Sequence, residues 1–563
     1  MGEIPANYPP PGTSGEFVSG ELQPADQQIG VGVLFVGAGP ASLAGAIRLA
    51  QLLETAPAVK AGLGDFPIAI IEKGKCPGAH LLSGAVINPS AFHKLFPDLP
   101  SDQLPFFNPV PGEAVYFLTP NKAIRAPIIP PTMRNHGNYV ASLSKVGQWL
   151  GTQAERLGVT ILNETAGVQV LIADSAVRGV RTGDKGRDRH GKPLPNFEPG
   201  SDIVARCTVF GEGTIGHLTQ AALEHFGIRR PNPQIYALGV KEVWEVPRPL
   251  GKVIHTMGWP LRLGRKWREF GGSFAYPMGN DKISLGLVVG LDTAAASLSV
   301  HDLLQEMKTH PLFRKMLEGG KRLAWGAKTI PEGGFYSLPE QLSVPGACFI
   351  GDAAGFVNVP ALKGIHYAMW SGIYAAEAIF EILKASSVDN PFQNGLPTYG
   401  AAIRGSCIQR DLYRVRNMRQ AFHHGFWAGS ALAGLMTVTR GLFPGWQFGT
   451  KADSAQPVDD KLKRSYQKGD NQLTFDKLTS VHAAGNRSRD DQPNHLRVAT
   501  KIPPVIGEAW IHMCPAAVYE WEATGPRTLR INPSNCIHCG AITAKGGRFT
   551  PPEGGSGPEY IGM

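Results

Sequence analysis

Cysteine, charge and long apolar runs are all scarce in this chain. Its 563 residues include only 7 cysteines, too few for a disulfide framework at this length, so we expect a reducing compartment. Charged residues make up 18%, and no segment combines clustered basic residues with aromatic ones, which argues against nucleic-acid binding. Because no run of eighteen uninterrupted apolar residues occurs, the sequence predicts no membrane-spanning helix.

A strand–glycine–helix run near the N-terminus is the first motif that indicates chemistry. The apolar residues 32–36 predict a buried strand, and Gly37 and Gly39 follow in a turn before a predicted helix. Gly37 permits a tight turn, Gly39 lets the backbone approach a pyrophosphate, and Ser42 is small enough to keep helix and strand close. Glu72 ends the next predicted strand, where a carboxylate accepts hydrogen bonds from ribose hydroxyls. The predicted nucleotide-binding residues of this region are Gly37, Gly39, Pro40, Ser42 and Glu72.

A second strand–glycine–helix element indicates FAD rather than NAD. A predicted strand at residues 347–350 ends in Gly351 and Asp352, followed by small residues at a helix start. Asp352 is placed to bind a ribityl hydroxyl, although an ordinary helix N-cap is the alternative. Residues 208–216 form a third element of this kind. A lone NAD domain needs no such additional elements, so we predict an FAD site.

Several longer runs resemble the electron transfer flavoprotein–ubiquinone oxidoreductase family over roughly residues 31–563. They are residues 78–84, 135–139, 271–274, 319–322, 358–360, 363–366 and 552–563. The resemblance implies a monotopic enzyme of the respiratory membrane, which takes single electrons from a soluble electron transfer flavoprotein and reduces ubiquinone. It matches Gly271 and Gly272 to the glycine pair whose backbone lies at the quinone head group. From the residues alone, a strand bulge explains these glycines equally well.

The predicted fold is α/β plus α+β. The resemblance implies an FAD-binding Rossmann-like domain of the aromatic-hydroxylase/glutathione-reductase type, an inserted β-rich quinone domain and a C-terminal ferredoxin-like module. The expected divisions are a disordered or wrapping arm at 1–30, a discontinuous FAD-binding domain at 31–85, 158–230 and 335–400, a quinone domain at 86–157 and 231–334, a membrane-associated segment at 401–450, a connecting segment at 451–499 and an iron–sulfur module at 500–563. We expect a monomer.

One uncharged segment, residues 425–439, is too short to cross a bilayer but long enough to lie in one leaflet. A buried core helix is the alternative. Trp427, Phe443 and Trp446 would suit an interfacial position, and the net charge, 55 − 46 = +9, favours an anionic membrane surface. With no presequence visible, we expect the cytoplasmic face of a bacterial inner membrane, or the matrix face of the mitochondrial inner membrane in a eukaryote.

The C-terminal cysteines match the family's 4Fe–4S site incompletely. The resemblance makes Cys514, Cys536 and Cys539 metal ligands, but Ile542 stands at the position of the fourth, and residues 540–551 contain no Cys, His, Asp or Glu. Four interpretations stay open: a 4Fe–4S cluster with water or a distant fourth ligand, a 3Fe–4S cluster, a module that has lost its cluster, or a sequence error. A zinc site using His512 or His538 is a further alternative, for which His538, between its cysteines, is poorly placed.

The predicted function is electron transfer from reduced electron transfer flavoprotein, through FAD and an iron–sulfur cluster, to ubiquinone. We expect no general base and no covalent nucleophile, because the cofactors carry the chemistry. His80 and His366 lie near the flavin or are structural. Two alternatives remain: a soluble FAD-dependent reductase or hydroxylase of the same fold, and a cluster-impaired paralogue that docks a ferredoxin-like partner.

Overall fold

The larger of two principal sheets carries the predicted nucleotide motifs. In this computed structural model, which describes residues 2–279, 281–385, 390–523 and 527–563, its central strands are parallel. Their spatial order is Val18–Ser19, Gly167–Ala173, Ala176–Thr182, Asp202–Phe210, Gln28–Val36, Ile68–Ile71 and Thr160–Leu162. Ala347–Phe349 pairs in parallel with Asp202–Phe210, and Ser343–Val344 pairs with Ala347–Phe349.

The parallel register brings the carboxyl ends of four strands to one edge. Val36 lies opposite Ile71 and Phe210, and Phe210 lies opposite Phe349. The segments after these residues are therefore neighbours, although they are far apart in sequence. Ligands of doubly wound sheets bind at such an edge.

The second sheet is antiparallel except at one strand pair. Its strands, in spatial order, are Lys321–Pro331, Tyr236–Glu245, Lys282–Gly290, Gly271–Pro277, Val253–Gly258, Glu113–Leu118 and Ala123–Arg125. Val253–Gly258 and Glu113–Leu118 run parallel. The smaller pairings join Val86–Ile87 and Asn108–Pro109 to Tyr139–Val140, Lys185–Arg187 to Pro193–Glu198, Leu496–Arg497 to Arg548–Phe549, and Tyr519–Trp521 to Leu529–Ile531.

Helices cover the larger sheet and extend beyond it. Helix Pro40–Glu54 packs closely on Ile365–Ala385, where a Cβ on Gly372 would lie 2.0 Å from the Ala41 carbonyl oxygen. The other helices are Pro57–Ala61, Ser90–Leu95, Leu143–Arg156, His217–His225, Val300–Lys308, Pro311–Leu317, Gly351–Ala354, Pro397–Gly405, Cys407–Arg414, Met418–Ala421, Phe426–Val438, Lys477–Ala483, Pro504–Met513 and Ala541–Ala544. Among the described residues, none of the helices has both the length and the apolar character to cross a membrane.

Two segments outside the central strands pack on other parts of the fold. Helix Leu143–Arg156 shares the core of the larger sheet, whereas a boundary at residue 157 groups it with the second sheet. Near the N-terminus, Glu3 forms a bridge with Val458, and Val18–Ser19 adds a strand to the larger sheet. The C-terminal module shares one apolar core with the second sheet, so the two parts support each other.

Candidate functional site

A cavity, here called the edge cavity, opens where the parallel strands end and extends to the second sheet. Both sheets and the C-terminal module contribute to its wall. The lining residues include Gly37, Gly39, Pro40, Glu72, Lys73, Glu212, Gly213, Phe274, Tyr276, Lys328, Gly351, Asp352, His366, His538 and Gly540. The three strand–glycine–helix elements are thus brought together around one space, and a loop of the cysteine module joins them.

The first glycine turn has the geometry expected of a dinucleotide site. Gly37 has φ +89°, and a Cβ there would lie 3.1 Å from the Gly211 carbonyl oxygen. Gly39 caps helix Pro40–Glu54, whose N-terminus opens into the edge cavity. Ser42 is buried instead, and a Cβ on Gly211 would clash with its hydroxyl at 2.2 Å. Ser42 therefore keeps two backbone segments close, whereas Gly37 and Gly39 face the ligand space.

Glu72 is fixed by the backbone of the same turn. One carboxylate oxygen accepts a hydrogen bond from the Ala38 N–H at 2.8 Å, and the other accepts one from the Gly74 N–H at 2.6 Å. Each oxygen retains a second lone pair that can accept from a ribose hydroxyl. The carboxylate is therefore oriented before any ligand arrives.

The second element places its aspartate in the same cavity. Gly351 has φ +60°, and its N–H donates to the Ser371 hydroxyl at 2.9 Å. Asp352 faces the cavity and accepts a long hydrogen bond of 3.4 Å from the Thr214 hydroxyl. Burial raises the pKa of Asp352 to about 6. Its carboxyl group is suited to a hydroxyl partner such as the ribityl chain of FAD.

Two lysines of the edge cavity, Lys73 and Lys328, were not among the site residues predicted from the sequence. Burial lowers the pKa of Lys73, and it lowers the pKa of Lys328 to about 8. At pH 7 Lys328 is mostly charged, which suits a diphosphate. Lys73 follows Glu72 directly and could have been inferred from that position, whereas Lys328 is brought in by the second sheet. The cradle, carboxylates and cations together fit FAD.

The loop at residues 536–540, here called the cysteine loop, connects the cavity to the C-terminal cysteines. The Lys328 ammonium donates to the His538 carbonyl at 2.9 Å, and the Thr329 N–H and hydroxyl both donate to the Cys539 carbonyl, at 3.0 and 2.8 Å. His538 and Gly540 line the edge cavity, while Cys536 and Cys539 supply thiols to the module. One short loop thus serves both sites.

The three predicted thiol ligands lie close together at the module's core. Burial raises the pKa of each thiol, to about 12 for Cys539, and the pKa values of Cys536 and Cys539 are raised further by neighbouring thiols. Nearby backbone N–H groups lower the three pKa values: those of Ala516, Val518 and Tyr519 for Cys514, that of His538 for Cys536 and that of Ala541 for Cys539. A bound metal centre would stabilise the thiolates. The set fits an iron–sulfur cluster but supplies only three thiolates.

Two histidines stand beside Cys536. The Cys536 sulfur and ring nitrogens of His495 and His538 all lie within 4.8 Å of one another. In the described part of the chain, none of the four ring nitrogens of His495 and His538 has a hydrogen-bond partner. His538 has a left-handed backbone with φ +53°, and its ring stands beside Cys536. The expectation that it is poorly placed for a zinc site shared with its flanking cysteines stays a prediction. His512 instead lies 3.5 Å from Glu508.

Gly271 and Gly272 begin the strand Gly271–Pro277, which reaches the edge cavity farther along. A Cβ on Gly271 would lie 2.0 Å from the Val288 carbonyl oxygen, and one on Gly272 would lie 2.7 Å from that of Thr256. Close strand packing thus already requires both glycines. On one side of the pair, Phe270 contacts Phe422, and on the other Phe274 lines the cavity.

Helix Phe426–Val438, here called the surface helix, exposes apolar side chains. Trp427 is 68% exposed and Val438 82%, and Leu442 and Trp446 just beyond it are also exposed. The alternative of a buried core helix is therefore wrong. Nearby, a groove is lined by four arginines, Arg404, Arg410, Arg414 and Arg440.

Family models match two parts of the chain. One, described as electron transfer flavoprotein–ubiquinone oxidoreductase, ubiquinone-binding, matches residues 236–330. The other, described as the 4Fe–4S region of electron transfer flavoprotein–ubiquinone oxidoreductase, matches residues 471–561. The first covers most of the second sheet, and the second covers all three module cysteines.

Curated relatives match nearly the whole chain. The mitochondrial electron transfer flavoprotein–ubiquinone oxidoreductase of Caenorhabditis elegans is 40% identical over 561 residues, which cover 94% of this chain and 91% of the relative. The human mitochondrial protein of the same name is 39% identical, with 94% and 89% covered. A relative from Acinetobacter baylyi is 37% identical, with 94% and 98% covered.

Solved structures share the FAD-binding fold at low identity. A geranylgeranyl bacteriochlorophyll reductase-like protein from Thermoplasma acidophilum aligns with a TM-score of 0.55 and 16% identity, over 77% of this chain and 94% of that one. A myxobacterial chondrochloren halogenase, an FAD-dependent halogenase, aligns with a TM-score of 0.51 and 17% identity, over 76% and 95%. These similarities establish the fold alone.

Proposed function

Because the chain belongs to the electron transfer flavoprotein–ubiquinone oxidoreductase family, we propose that it oxidises a reduced electron transfer flavoprotein and reduces ubiquinone at a membrane surface. Its cofactors are FAD and an iron–sulfur cluster. FAD, when bound, supplies the exchange between one-electron and two-electron chemistry. The chain's own residues bind, orient and connect these groups.

We propose the following roles for residues of the edge cavity. Gly37, Gly39 and Pro40 let the pyrophosphate approach the helix N-terminus, with Lys73 and Lys328 offsetting its charge. Glu72 binds the adenosine ribose and Asp352 the ribityl chain, each by accepting from hydroxyls. Gly351 gives the backbone close access, and Ser42 holds helix and strand together from behind.

The observation that carries this function is the cysteine loop. Residues 536–540 supply two thiols to the module and two wall residues to the edge cavity. Lys328 and Thr329 hold this loop by donating hydrogen bonds to the His538 and Cys539 carbonyl groups. An iron–sulfur centre held by Cys514, Cys536 and Cys539 would therefore neighbour the flavin. The reductase-like protein and the halogenase of the same fold resemble the chain at only 16% and 17% identity.

For the quinone, we propose a route from the surface helix along the strand Gly271–Pro277 to the edge cavity. Phe270 contacts Phe422 at one end, and Phe274 lines the cavity at the other. Gly271 and Gly272 lie between them, where missing side chains let a flat ring approach the backbone. Residues 231–334, which belong to the expected quinone domain, would then line the path of the quinone.

We also propose that the surface helix lies in one leaflet of the bilayer as a monotopic anchor of a monomeric enzyme. Trp427 in the helix and Trp446 just beyond it are exposed and suit the interface, and the four-arginine groove suits anionic head groups. In a bacterium the anchor would face the cytoplasm, and in a mitochondrion the matrix.

Flotation with anionic phospholipid vesicles tests this membrane anchor. Trp427→Asp combined with Val438→Asp should weaken binding at least about tenfold, as charged residues at an apolar interface do. Leu478→Asp, which alters a side chain that is 60% exposed on helix Lys477–Ala483, at the opposite edge of the second sheet, should leave binding unchanged.

Turnover with reduced electron transfer flavoprotein as donor and a soluble ubiquinone analogue as acceptor tests the reaction itself. We expect quinone reduction that depends on the protein donor and does not occur with NADH or NADPH. Absence of quinone reduction by intact, FAD-loaded protein would contradict the proposal. Oxidation of NAD(P)H without the donor would favour a soluble reductase instead.

A further inference from the structure

The C-terminal module offers its metal centre one thiolate fewer than a 4Fe–4S cluster uses. Cys514 and Cys536 are buried, Cys539 is half-buried, and backbone N–H groups lie near all three sulfurs. Such N–H···S contacts are typical around cluster thiolates, whose reduction potential they tune. The three cysteines are therefore arranged as cluster ligands, and the question is what occupies the fourth corner.

Ile542 stands at the next step of the three-residue spacing that separates Cys536 from Cys539. It is 5% exposed, within the short helix Ala541–Ala544. A Cβ on Gly547 would lie 2.6 Å from Ile542 Cγ1 and 2.7 Å from Val498 Cγ1. The Ile542 side chain is thus enclosed beside Val498 and Gly547, and it supplies no atom that could bind iron.

The neighbouring histidines do not replace the missing ligand. Ring nitrogens of His495 and His538 lie within 4.8 Å of the Cys536 sulfur, a spacing suited to ligands of one ion. Ligands on different corners of a cubic cluster are separated by the cluster's width as well as by two metal–sulfur bonds. The histidines therefore crowd the corner that Cys536 already holds. For a single cation, the buried Lys73 ammonium nearby is an unfavourable neighbour.

We propose that the module holds a 3Fe–4S cluster, with Cys514, Cys536 and Cys539 as its three protein ligands and Ile542 at the position of the absent fourth. This cluster type is a cube lacking one iron, so three thiolates satisfy it. The inference rests on the proposed function only in taking the module to be an iron–sulfur site.

Metal analysis and electron paramagnetic resonance of the native, FAD-loaded protein, purified anaerobically, provide the test. We expect three irons and four sulfides per FAD, even after incubation with excess ferrous iron and sulfide. The oxidised protein should show a paramagnetic signal that disappears on one-electron reduction. Neither readout requires quinone turnover, so failure of this inference is distinguishable from failure of the proposed function.

Two variants of one position sharpen the test. Ile542→Cys should raise the iron content to four per FAD, silence the oxidised protein and produce a signal in the reduced one. Ile542→Val keeps an apolar side chain of similar shape and should retain three irons. FAD content, measured on each variant, reports whether the fold is intact.

Three results on the native protein would overturn the proposal. Four irons with a silent oxidised state would mean that another group closes the fourth corner. Absence of iron from anaerobically reconstituted protein would mean that the module no longer binds a cluster. One zinc per FAD, lost in His495→Ala, would assign the buried cysteine–histidine group to a single ion.

Discussion

In the edge cavity, the Glu72 and Glu212 carboxylates are held by hydrogen bonds from the protein, whereas two buried imidazoles in the described part of the C-terminal module are not. Glu72 accepts two backbone hydrogen bonds, and Glu212 accepts from the Leu218 and Thr219 N–H groups and from the Thr219 hydroxyl. By contrast, the ring nitrogens of His495 and His538 are without partners among the described residues. The two sites share the cysteine loop, so these two kinds of environment lie on opposite sides of one short loop.

The comparison indicates that FAD and the iron–sulfur cluster contribute differently to the stability of the fold. A cavity whose backbone and carboxylates are fixed in advance should survive removal of FAD with little rearrangement. A core containing three thiols and two unpartnered imidazoles is stabilised by its metal centre, because binding free energy at such sites is also folding free energy. Loss of iron should therefore loosen the module more than loss of FAD loosens the larger sheet.

The largest expected effect follows from removing one thiolate. Cys536→Ser should reduce iron per FAD to below about a tenth of the native value, since thiolate ligands are the ones iron–sulfur clusters require. FAD content should change by less than about a fifth, because no nucleotide-binding group is altered. Iron analysis and flavin absorbance of the purified variant measure both. Cys407→Ser, at a half-buried cysteine on another helix, is the matched control and should retain its iron. Parallel loss of FAD in Cys536→Ser would contradict the separate coupling of the two sites.

Local sequence was sufficient to predict the first of these sites. Gly37 and Glu72 each follow a buried strand directly, and Asp352 follows one after two residues. Parallel strands end at a common edge, so the convergence of these residues follows from the strand order. Lys328 and His538 could not be predicted in this way. They enter the cavity because the second sheet and the module pack on each other, a long-range arrangement that no local pattern encodes.

The second expected effect concerns the turn that receives the pyrophosphate. Gly37→Ala imposes a side chain on a left-handed residue and places Cβ 3.1 Å from the Gly211 carbonyl oxygen. Strain of about 1–2 kcal/mol, together with this contact, should weaken FAD binding by about tenfold or more. Fluorescence titration of FAD into the deflavinated protein measures the change, and iron per chain should stay constant.

Gly64→Ala separates backbone strain from the contact in the cavity. Gly64 has φ +79°, is exposed and has no atom within 4 Å of a built Cβ. The strain is therefore similar, but no binding group is touched, and FAD affinity should match that of the native protein. Equal losses in both variants would mean that Gly37 acts through general stability.

Two apolar helices show a further limit of the sequence. Ile365–Ala385 is largely buried against Pro40–Glu54, whereas the surface helix exposes Trp427 and Val438. Ile365–Ala385 carries Glu377, Glu381 and Lys384 along one partly exposed stripe, whereas the surface helix contains no charged residue that would reveal its environment. Exposure depends on which other elements remain to cover a helix. The uncharged run at residues 425–439 was therefore compatible with core and surface until the fold was known.

A smaller effect should arise at the strand that joins the two sites. Thr329→Val removes the hydroxyl that donates to the Cys539 carbonyl at 2.8 Å but keeps the backbone N–H at 3.0 Å. A net loss of about 1 kcal/mol should increase the rate of iron release to a chelator about fivefold. Thr119→Val, which loses an exposed turn hydrogen bond, should leave that rate unchanged. An unchanged rate in Thr329→Val would mean that the strand does not stabilise the cysteine loop.

The smallest expected effect is a pH dependence confined to the edge cavity. In the FAD-free protein, the pKa of Asp352 is raised from 3.8 to about 6 by burial. Folded protein then binds this proton more tightly than unfolded protein does, so the group lowers stability as pH rises from about 4 through 6. The Asp352→Asn variant has no titrating group at this position, so it does not lose stability in this way as pH rises. The melting temperature of this variant relative to the native protein should therefore rise as pH increases across that range. We expect a rise of about 1–2 °C, which corresponds to roughly 1 kcal/mol in the free energy of unfolding. The effect is small because Asp352 faces an open cavity, where solvent screens its charge. Iron release at these pH values should be the same in both proteins. A stability difference that is constant from pH 4 to pH 7 would mean that Asp352 titrates normally, and that the cavity does not hold its carboxyl group in the protonated form.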